Sequence, residues 1–221
     1  MTYPFMLNNQ FSQHAETQIS TNTDVLPHLA VLILAAGLSR RLGQPKQLLL
    51  KNGKPLVRHV AELAISLNPQ CVMVVANHTV EISSLLEDLP IQLVLNPQAD
   101  TGMASSLQTG ALCLNNHHGQ VLIVGIDQPL LDAAYLQRMV QQNIQYPDMN
   151  IVSQYSDTIG IPAIVQPELL QQSESLAGDS GLKKLLMQQP DKIIKMPAPQ
   201  LAFDIDTPEA LQHTRQNGWI D

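Results

Sequence analysis

The 221-residue chain carries a formal net charge of −7 and no strongly basic region. Its length suits one substantial α/β domain and is short for two. The acidic balance argues against a general nucleic-acid or anionic-membrane surface. No apolar run approaches the ~18 residues needed to span a bilayer. An anionic ligand would therefore have to be bound by a local positive site.

The first 28 residues differ in character from the rest of the chain. They are largely polar, contain no lysine or arginine, and lack a continuous apolar segment. A secretory signal needs a basic start and an apolar stretch, and an organelle transit peptide is usually rich in arginine. We therefore predict a disordered tail over residues 1–28, a single domain over residues 29–221, and a cytoplasmic location.

Downstream of the tail, aliphatic runs alternate with helical stripes. The runs predict strands over residues 31–34, 71–76, 91–95, 121–124, 150–155 and 193–196, with an edge strand or loop over 159–165 and an extended segment over 203–206. Helices are predicted from residue 55 to 67 and over 79–89, 105–114, 135–145 and 178–187, with another starting at residue 207. This alternation indicates an α/β fold, a Rossmann-like and mostly parallel sheet with helices on both faces.

The most informative stretch is the loop that follows the first strand. Small residues at positions 35–37 would let a ligand approach the backbone, whose N–H groups can face an anion. Arg40, Arg41 and Lys46 then supply the first positive charges in the chain. An ordinary strand-to-helix connection is the alternative, but cations at these offsets favour a phosphate site at the carboxyl edge of the sheet.

Two aspartates are the candidate metal ligands. Asp127 follows the fourth predicted strand, and Asp206 lies in an extended segment that places it on the same face as Asp204. Mg²⁺ prefers one or two carboxylates together with substrate phosphate oxygens. The alternative is a structural role, in which Asp127 caps a turn and the 204–209 segment caps the last helix.

Three further loops carry polar or glycine-rich patterns. The 96–106 loop offers many donors and acceptors but no aliphatic pattern, and its serines could instead cap the next helix. Gly160-Ile161-Pro162 and the 178–183 segment come later in the chain. A helix start with Lys183 nearby suits a phosphate group, although a capped surface helix is the simpler alternative.

These motifs together resemble the nucleotidyltransferases that attach a nucleotide to molybdopterin, which have the nucleotide-diphospho-sugar type of fold. The signature L-A-A-G-x-S-x-R-M-G-x-x-K is matched, with Leu42 in place of methionine, by Leu34, Ala35, Ala36, Gly37, Ser39, Arg41, Gly43 and Lys46. The family's N-x-x-x-x-x-G-M-x-x-S segment, its aspartate followed by Gln-Pro, its G-x-P, its G-D-x-G-[AL]-[RK] and its D-x-D-T-P-E elements occur here in the same order. One departure is Ile126, because the family often has glycine directly before the aspartate.

The resemblance implies a role for each matched residue. Arg41, Lys46 and Asp127 would be catalytic, and Asp127 and Asp206 would bind Mg²⁺. The nucleotide would be bound by Leu34, Ala35, Ala36, Gly37, Ser39, Lys46, Asn96, Gly102, Ser105 and Ser106. The second substrate would be bound by Gly160, Pro162, Gly178, Asp179 and Lys183.

The implied activity is transfer of CMP from CTP to the terminal phosphate of molybdopterin, with or without bound molybdenum. CTP, the molybdenum cofactor and an acceptor molybdoenzyme of the xanthine dehydrogenase type are the implied partners. Guanylyl-transferring relatives usually have Leu-Ala-Gly-Gly in the first motif, and the extra methyl of Ala36 would crowd a purine. Two alternatives stay open: an isoprenoid-pathway cytidylyltransferase acting on methylerythritol phosphate, and a non-catalytic nucleotide-binding factor in molybdoenzyme maturation.

Overall fold

A computed structural model describes residues 26–221. Its strands are β1 (Leu26–Ala35), β2 (Leu50–Lys51), β3 (Lys54–Pro55), β4 (Pro69–Ala76), β5 (Gln92–Leu95), β6 (Gln120–Gly125), β7 (Asn150–Tyr155), β8 (Thr158–Val165) and β9 (Ile193–Pro197). Its helices are α1 (Leu56–Ile65), α2 (Met103–Cys113), α3 (Ala133–Gln145), α4 (Pro167–Gln171), α5 (Leu182–Leu186) and α6 (Pro208–Gln216). Within these residues, no helix is long and apolar enough to cross a membrane.

Seven strands form one sheet in the order β5-β4-β1-β6-β8-β7-β9, and β2 and β3 form a separate small hairpin. β1 pairs in parallel with β4 and β6, β4 with β5, and β7 with β9. β8 runs antiparallel to both of its neighbours. The predicted mostly parallel α/β fold is confirmed.

Helices cover both faces of this sheet, which explains the unbroken aliphatic runs of its strands. Val31 and Ile33 of β1 belong to the hydrophobic cluster that includes buried residues of α1 and α3. Ala30 and Leu32 point the other way, into the cluster that includes residues of α2, α4 and α5. With both faces buried, a strand has no solvent side on which polar residues would alternate.

Two sequence-based predictions in this region are wrong. Residues 79–89 form no α-helix and contain only a short 3-10 turn, Ser83–Leu85. The side-chain oxygen of Asn77 accepts the N–H groups of Thr79 and Val80, which holds the start of the segment in a turn. β8 is not an edge strand, because it lies between β6 and β7.

β8 can be an interior strand because its proline falls where the pairing is interrupted. On β7, Val152 pairs with Ala163 while the adjacent Ser153 pairs with Gly160, so two residues of β8 are skipped. Pro162 is one of these two, and its missing N–H therefore costs no ladder hydrogen bond.

Several predicted boundaries also shift. β1 begins at Leu26, three residues inside the predicted tail, and the rest of the tail prediction lies outside the described residues. α2 begins at Met103, and α5 has only five residues. Residues 203–206 are extended but pair with no strand, and Thr207 caps α6 by accepting the Ala210 N–H at 3.2 Å.

Candidate active site

Loops from separate parallel strands meet at the carboxyl edge of the sheet. The loop over residues 35–46, called the first loop below, leaves the carboxyl end of β1. Asp127 lies just beyond β6, and Asp206 precedes α6. Parallel strands bring their following loops to one edge, and here the first loop reaches both aspartates through direct side-chain contacts.

Four charged side chains form what we call the charged cluster: Arg41, Lys46, Asp127 and Asp206. The Lys46 Nζ donates to Asp127 Oδ2 at 3.0 Å and to Asp206 Oδ1. Arg41 Nη2 donates to Asp206 Oδ2 at 2.6 Å. The Lys46 side chain is 13% exposed and that of Arg41 is 73% exposed. Lys46 is therefore the largely buried cation of the cluster, and Arg41 is the exposed one.

The carboxylates keep Lys46 protonated. Burial by itself would lower the pKa of this lysine, but attraction by Asp127 and the hydrogen bonds to Asp206 and Asp127 outweigh it. The pKa of Lys46 therefore lies above its ordinary value. For Asp206, burial by itself would raise the pKa. The hydrogen bonds and positive charges of Lys46 and Arg41 lower it by more, so the pKa of Asp206 lies below its ordinary value.

Backbone geometry explains how Asp127 reaches the cluster although Ile126 precedes it. A Cβ on Gly125 would lie 2.8 Å from Asp127 Oδ1, so the carboxyl group lies directly over a position that has no side chain. The buried side chain of Ile126 anchors the backbone just before Asp127, and the Ile205 N–H donates to the Asp127 carbonyl at 3.0 Å. The glycine needed for close approach therefore lies two residues before the aspartate.

The two carboxylates of the charged cluster are the kind of ligands that bind Mg²⁺ at sites where a substrate supplies the remaining ligands. One ammonium group contacts both Asp127 and Asp206, so the two carboxylates are close enough to share a single cation. Within residues 26–221, no group of three or more histidine, cysteine, aspartate or glutamate side chains could hold a metal. Two carboxylates with phosphate oxygens as the remaining ligands are what Mg²⁺ accepts. The residues present therefore fit the ion.

Asp204 is a third carboxyl group near the cluster. Partial desolvation, together with repulsion from Asp127 and Asp206, raises its pKa to about 7, although the side chain is exposed. A carboxyl group whose pKa is higher in the folded state destabilises the fold as the pH rises from ~4 to ~7.

We expect Asp204→Asn to raise the Tm of the metal-free protein more at pH 8 than at pH 5, because only the aspartate must ionise beside two other carboxylates. Thermal unfolding monitored by circular dichroism in the presence of a chelator measures this difference. An equal change in Tm at the two pH values would contradict the expectation.

Two buried amides that the sequence analysis missed fix the first loop. Gln47 Nε2 donates to the carbonyl groups of Ala35 at 2.7 Å and of Gly37 at 2.9 Å. Asn77 Nδ2 donates to the Ala36 carbonyl at 3.0 Å. Both side chains are 1% exposed. The only signal in the sequence is that each is a polar residue beside an aliphatic run, which is weak.

The predicted base-binding residues form a buried network. Asn96 Nδ2 donates to Ser105 Oγ at 2.8 Å and to Ser106 Oγ at 3.1 Å. Neither serine caps α2, because the residue before the helix is Gly102 and both serines lie inside the helix. Ser105 instead lies within hydrogen-bonding distance of the Gln98 and Gly102 carbonyls, which ties the loop to α2.

The loop before α2 contacts the 178–183 segment directly. Gly102 has a φ of 113°, and a Cβ there would collide with the backbone of Gly178 and approach Asp179 Oδ1 at 2.8 Å. The Ala104 N–H donates to the Gly178 carbonyl at 3.1 Å. Two motifs that are far apart in the sequence are therefore neighbours at the site.

The remaining predicted second-substrate residues differ in accessibility. Lys183 is exposed, and its Nζ donates to Thr158 Oγ1 at 2.6 Å, at the end of β8 that lies at the site edge. Pro162 is buried within the sheet, and its carbonyl accepts from Ser153 Oγ at 2.6 Å. Direct contact of Pro162 with a substrate is therefore excluded in this conformation, whereas the partly exposed Gly160 remains accessible.

Cations and carboxylates gathered at the carboxyl edge of a mostly parallel α/β sheet lie where such folds bind nucleotides and related ligands. The model of the MobA-like NTP transferase domain matches residues 31–193, which is most of the chain and includes the first loop and Asp127. The chain belongs to this family.

Curated proteins similar to this chain include the bifunctional protein GlmU of several bacteria. The bifunctional protein GlmU of Synechococcus sp. (strain JA-3-3Ab) is 31% identical over 137 residues, which are 60% of this chain but 22% of that protein. The chain thus spans about a quarter of the length of the curated relatives it matches.

Solved structures share the fold at lower identity. Rv0371c from Mycobacterium tuberculosis H37Rv is 21% identical, with a TM-score of 0.71 over 84% of this chain and 96% of that one. Its manganese complex is 19% identical, with a TM-score of 0.64 over 84% and 97%. Molybdopterin-guanine dinucleotide biosynthesis protein A from Archaeoglobus fulgidus is 17% identical, with a TM-score of 0.63 over 85% and 97%.

Proposed function

We propose that this protein is a molybdenum cofactor cytidylyltransferase, which transfers CMP from CTP to the terminal phosphate of molybdopterin. The observation that carries the proposal is the charged cluster, in which Lys46 and Arg41 meet Asp127 and Asp206 beside the first loop. The family motifs in the sequence point to molybdopterin, and the molybdopterin-guanine dinucleotide biosynthesis protein among the structural relatives agrees with a substrate of this kind.

The reaction joins two anions and needs little proton transfer. A phosphate oxygen of molybdopterin attacks the α-phosphorus of CTP in line, a new P–O bond forms, and the bond to the β-phosphate oxygen breaks to release pyrophosphate. The nucleophile is already ionised, so no side chain has to act as its base. Catalysis is then positioning and charge stabilisation, as in other phosphoryl-type transfers.

Side chains of this protein can supply both the positioning and the charge stabilisation. Arg41 and Lys46 would neutralise charge that grows on the departing pyrophosphate. Asp127 and Asp206 would hold the Mg²⁺, which when bound acts as a Lewis acid on phosphate oxygens. The manganese complex of Rv0371c supports a divalent cation in this fold. Gly102 would lie against the base, and the buried network of Asn96, Ser105 and Ser106 would hold its loop in place.

The second substrate would bind where the 178–183 segment meets the start of β8. Lys183 is the exposed cation there, and Gly160, Gly178 and Asp179 lie along the same edge. α5 has only five residues, so the helix dipole contributes little, and we assign the phosphate of molybdopterin to the Lys183 side chain.

Selection of CTP over GTP is assigned to Ala36. Its methyl group is buried in the same hydrophobic cluster as Ala104 of α2, so it can set the spacing between the first loop and the base-binding helix. We expect Ala36→Gly to increase turnover with GTP relative to CTP, because removal of the methyl group makes room for a purine. Initial rates with each nucleotide measure the ratio, and an unchanged ratio would refute this steric explanation.

The test of the function is pyrophosphate release with Mg²⁺ and molybdenum-loaded molybdopterin, with CTP, GTP and ATP compared side by side. Release with CTP alone is expected. Release with GTP instead would keep the reaction and overturn the choice of base. Turnover of methylerythritol phosphate would favour the isoprenoid alternative, and CTP binding without any pyrophosphate release would indicate a non-catalytic nucleotide-binding factor.

A further inference from the structure

The peptide groups of the first loop have a defined polarity. The carbonyl groups of Ala35, Ala36 and Gly37 all accept hydrogen bonds from the two buried amides, Gln47 and Asn77. We call this pair the amide clamp. Gln47 binds both the first and the third of these carbonyl groups, so it holds two peptide planes in one orientation, and Asn77 Nδ2 also donates to the third at 3.4 Å.

The N–H groups that follow are left for another partner. Within the part of the chain that the structure describes, the backbone N–H groups of Gly37, Leu38 and Ser39 donate to no protein acceptor. Gly37 is exposed. Consecutive N–H groups without protein partners form an anion-binding concavity, whereas consecutive carbonyl groups would repel an anion.

We propose that Gln47 is a positioning residue for the pyrophosphate part of the nucleotide, which it never touches. By capturing the Gly37 carbonyl, it fixes the peptide plane that carries the Leu38 N–H and turns that N–H away from the clamp, as Asn77 does for the Gly37 N–H through the Ala36 carbonyl. By capturing the Ala35 and Gly37 carbonyls, it also shields two negative dipoles from the phosphates. This role rests on the proposed function in one respect, namely that the pyrophosphate part of the nucleotide binds at the first loop.

The state of the Gln47 oxygen supports a role beyond stability. Gln47 Oε1 is buried and has no hydrogen-bond partner within residues 26–221. A buried, unpaired amide oxygen is destabilising. The side chain is present in spite of this cost, and what it supplies in return is the pair of N–H donors that contact the loop.

The test compares Gln47→Glu and Gln47→Met with wild type. Glutamate would place a carboxylate against two carbonyl oxygens, and methionine keeps the volume without donors. The matched control is Gln108→Glu, because Gln108 also donates to two carbonyls, those of Ser173 at 3.1 Å and Leu176 at 3.0 Å, away from the first loop. Isothermal titration of each full-length protein with pyrophosphate and Mg²⁺ gives the Kd.

We expect both Gln47 variants to bind pyrophosphate at least about tenfold more weakly, because without the two donor contacts the loop carbonyls are free to turn toward the phosphates and repel them. Gln108→Glu should lower the Tm comparably but leave the Kd unchanged. Wild-type Kd values in the Gln47 variants, or an equal loss in Gln108→Glu, would overturn this inference alone. A wild-type protein that binds neither pyrophosphate nor CTP would overturn the proposed function as well.

Discussion

Replacing Lys46 with methionine is expected to lower kcat/KM with CTP by roughly 10²–10³-fold, the range found when a single charge-stabilising donor is removed from an enzyme. Lys46 is the least exposed cation of the charged cluster, and its raised pKa keeps it fully charged at neutral pH. Methionine keeps most of the side-chain volume, so packing should survive. Steady-state kinetics of pyrophosphate release measures the effect.

The same substitution should have the opposite effect on metal binding. Lys46 contacts both proposed metal ligands, Asp127 and Asp206, and so competes with a divalent cation for them. Without nucleotide, Lys46→Met should therefore bind Mn²⁺ more tightly than wild type, as measured by electron paramagnetic resonance of the free ion. Tighter Mn²⁺ binding together with lost turnover would be difficult to explain by misfolding.

The matched control is Lys54→Met. Lys54 is half exposed and pairs with Glu62 of α1 at 2.6 Å, outside the charged cluster. This variant should change neither kcat/KM nor Mn²⁺ affinity. Weaker Mn²⁺ binding in Lys46→Met would mean that the lysine organises the carboxylates rather than competing for them.

Asp127→Asn is expected to lower turnover by about 10³-fold or more, because a bound metal ion supplies several kcal/mol of charge stabilisation. Asparagine keeps the shape but removes the charge that both a divalent cation and Lys46 require. Mn²⁺ binding should weaken in parallel, which separates loss of the ion from a general loss of activity. Retained Mn²⁺ affinity with lost turnover would assign Asp127 a role other than metal binding.

A nearby aspartate provides the control for Asp127→Asn. Asp132 lies on the same strand-to-helix connection and caps α3 by accepting the Tyr135 N–H at 2.7 Å. Asparagine caps helices about as well as aspartate. Asp132→Asn should therefore keep both stability and activity.

Much of the architecture could be predicted because its signals are local. Strands buried on both faces have continuous aliphatic runs, so β4 and β6 are predicted within about two residues of their observed bounds, and β1 is predicted correctly at its carboxyl end but starts five residues earlier. Parallel order then places the loops after these strands at one edge. The first loop and Asp127 are therefore predicted at the same edge of the sheet, although no contact between them can be read from the sequence.

Other features depend on partners that are distant in sequence. In residues 79–89, the Leu85 carbonyl, which a helix would pair with the Leu89 N–H, accepts instead from Arg58 of α1 at 2.8 Å, and the Leu89 N–H donates to the Leu86 carbonyl. β8 looked like an edge because of Pro162, and only the skipped pairing with β7 allows it inside the sheet. Local propensity does not contain either fact.

The site shows the same division. The chemistry of the site follows from the order of residues, since cations, carboxylates and glycines at those offsets limit what the chain can bind. Folding is what joins one lysine to both aspartates, 81 and 160 residues further along the chain, and what places the Gln47 amide against the first loop. The physical reason is that charge pairing and carbonyl capture depend on distances of about 3 Å, which are set by packing between segments and not by the order of residues.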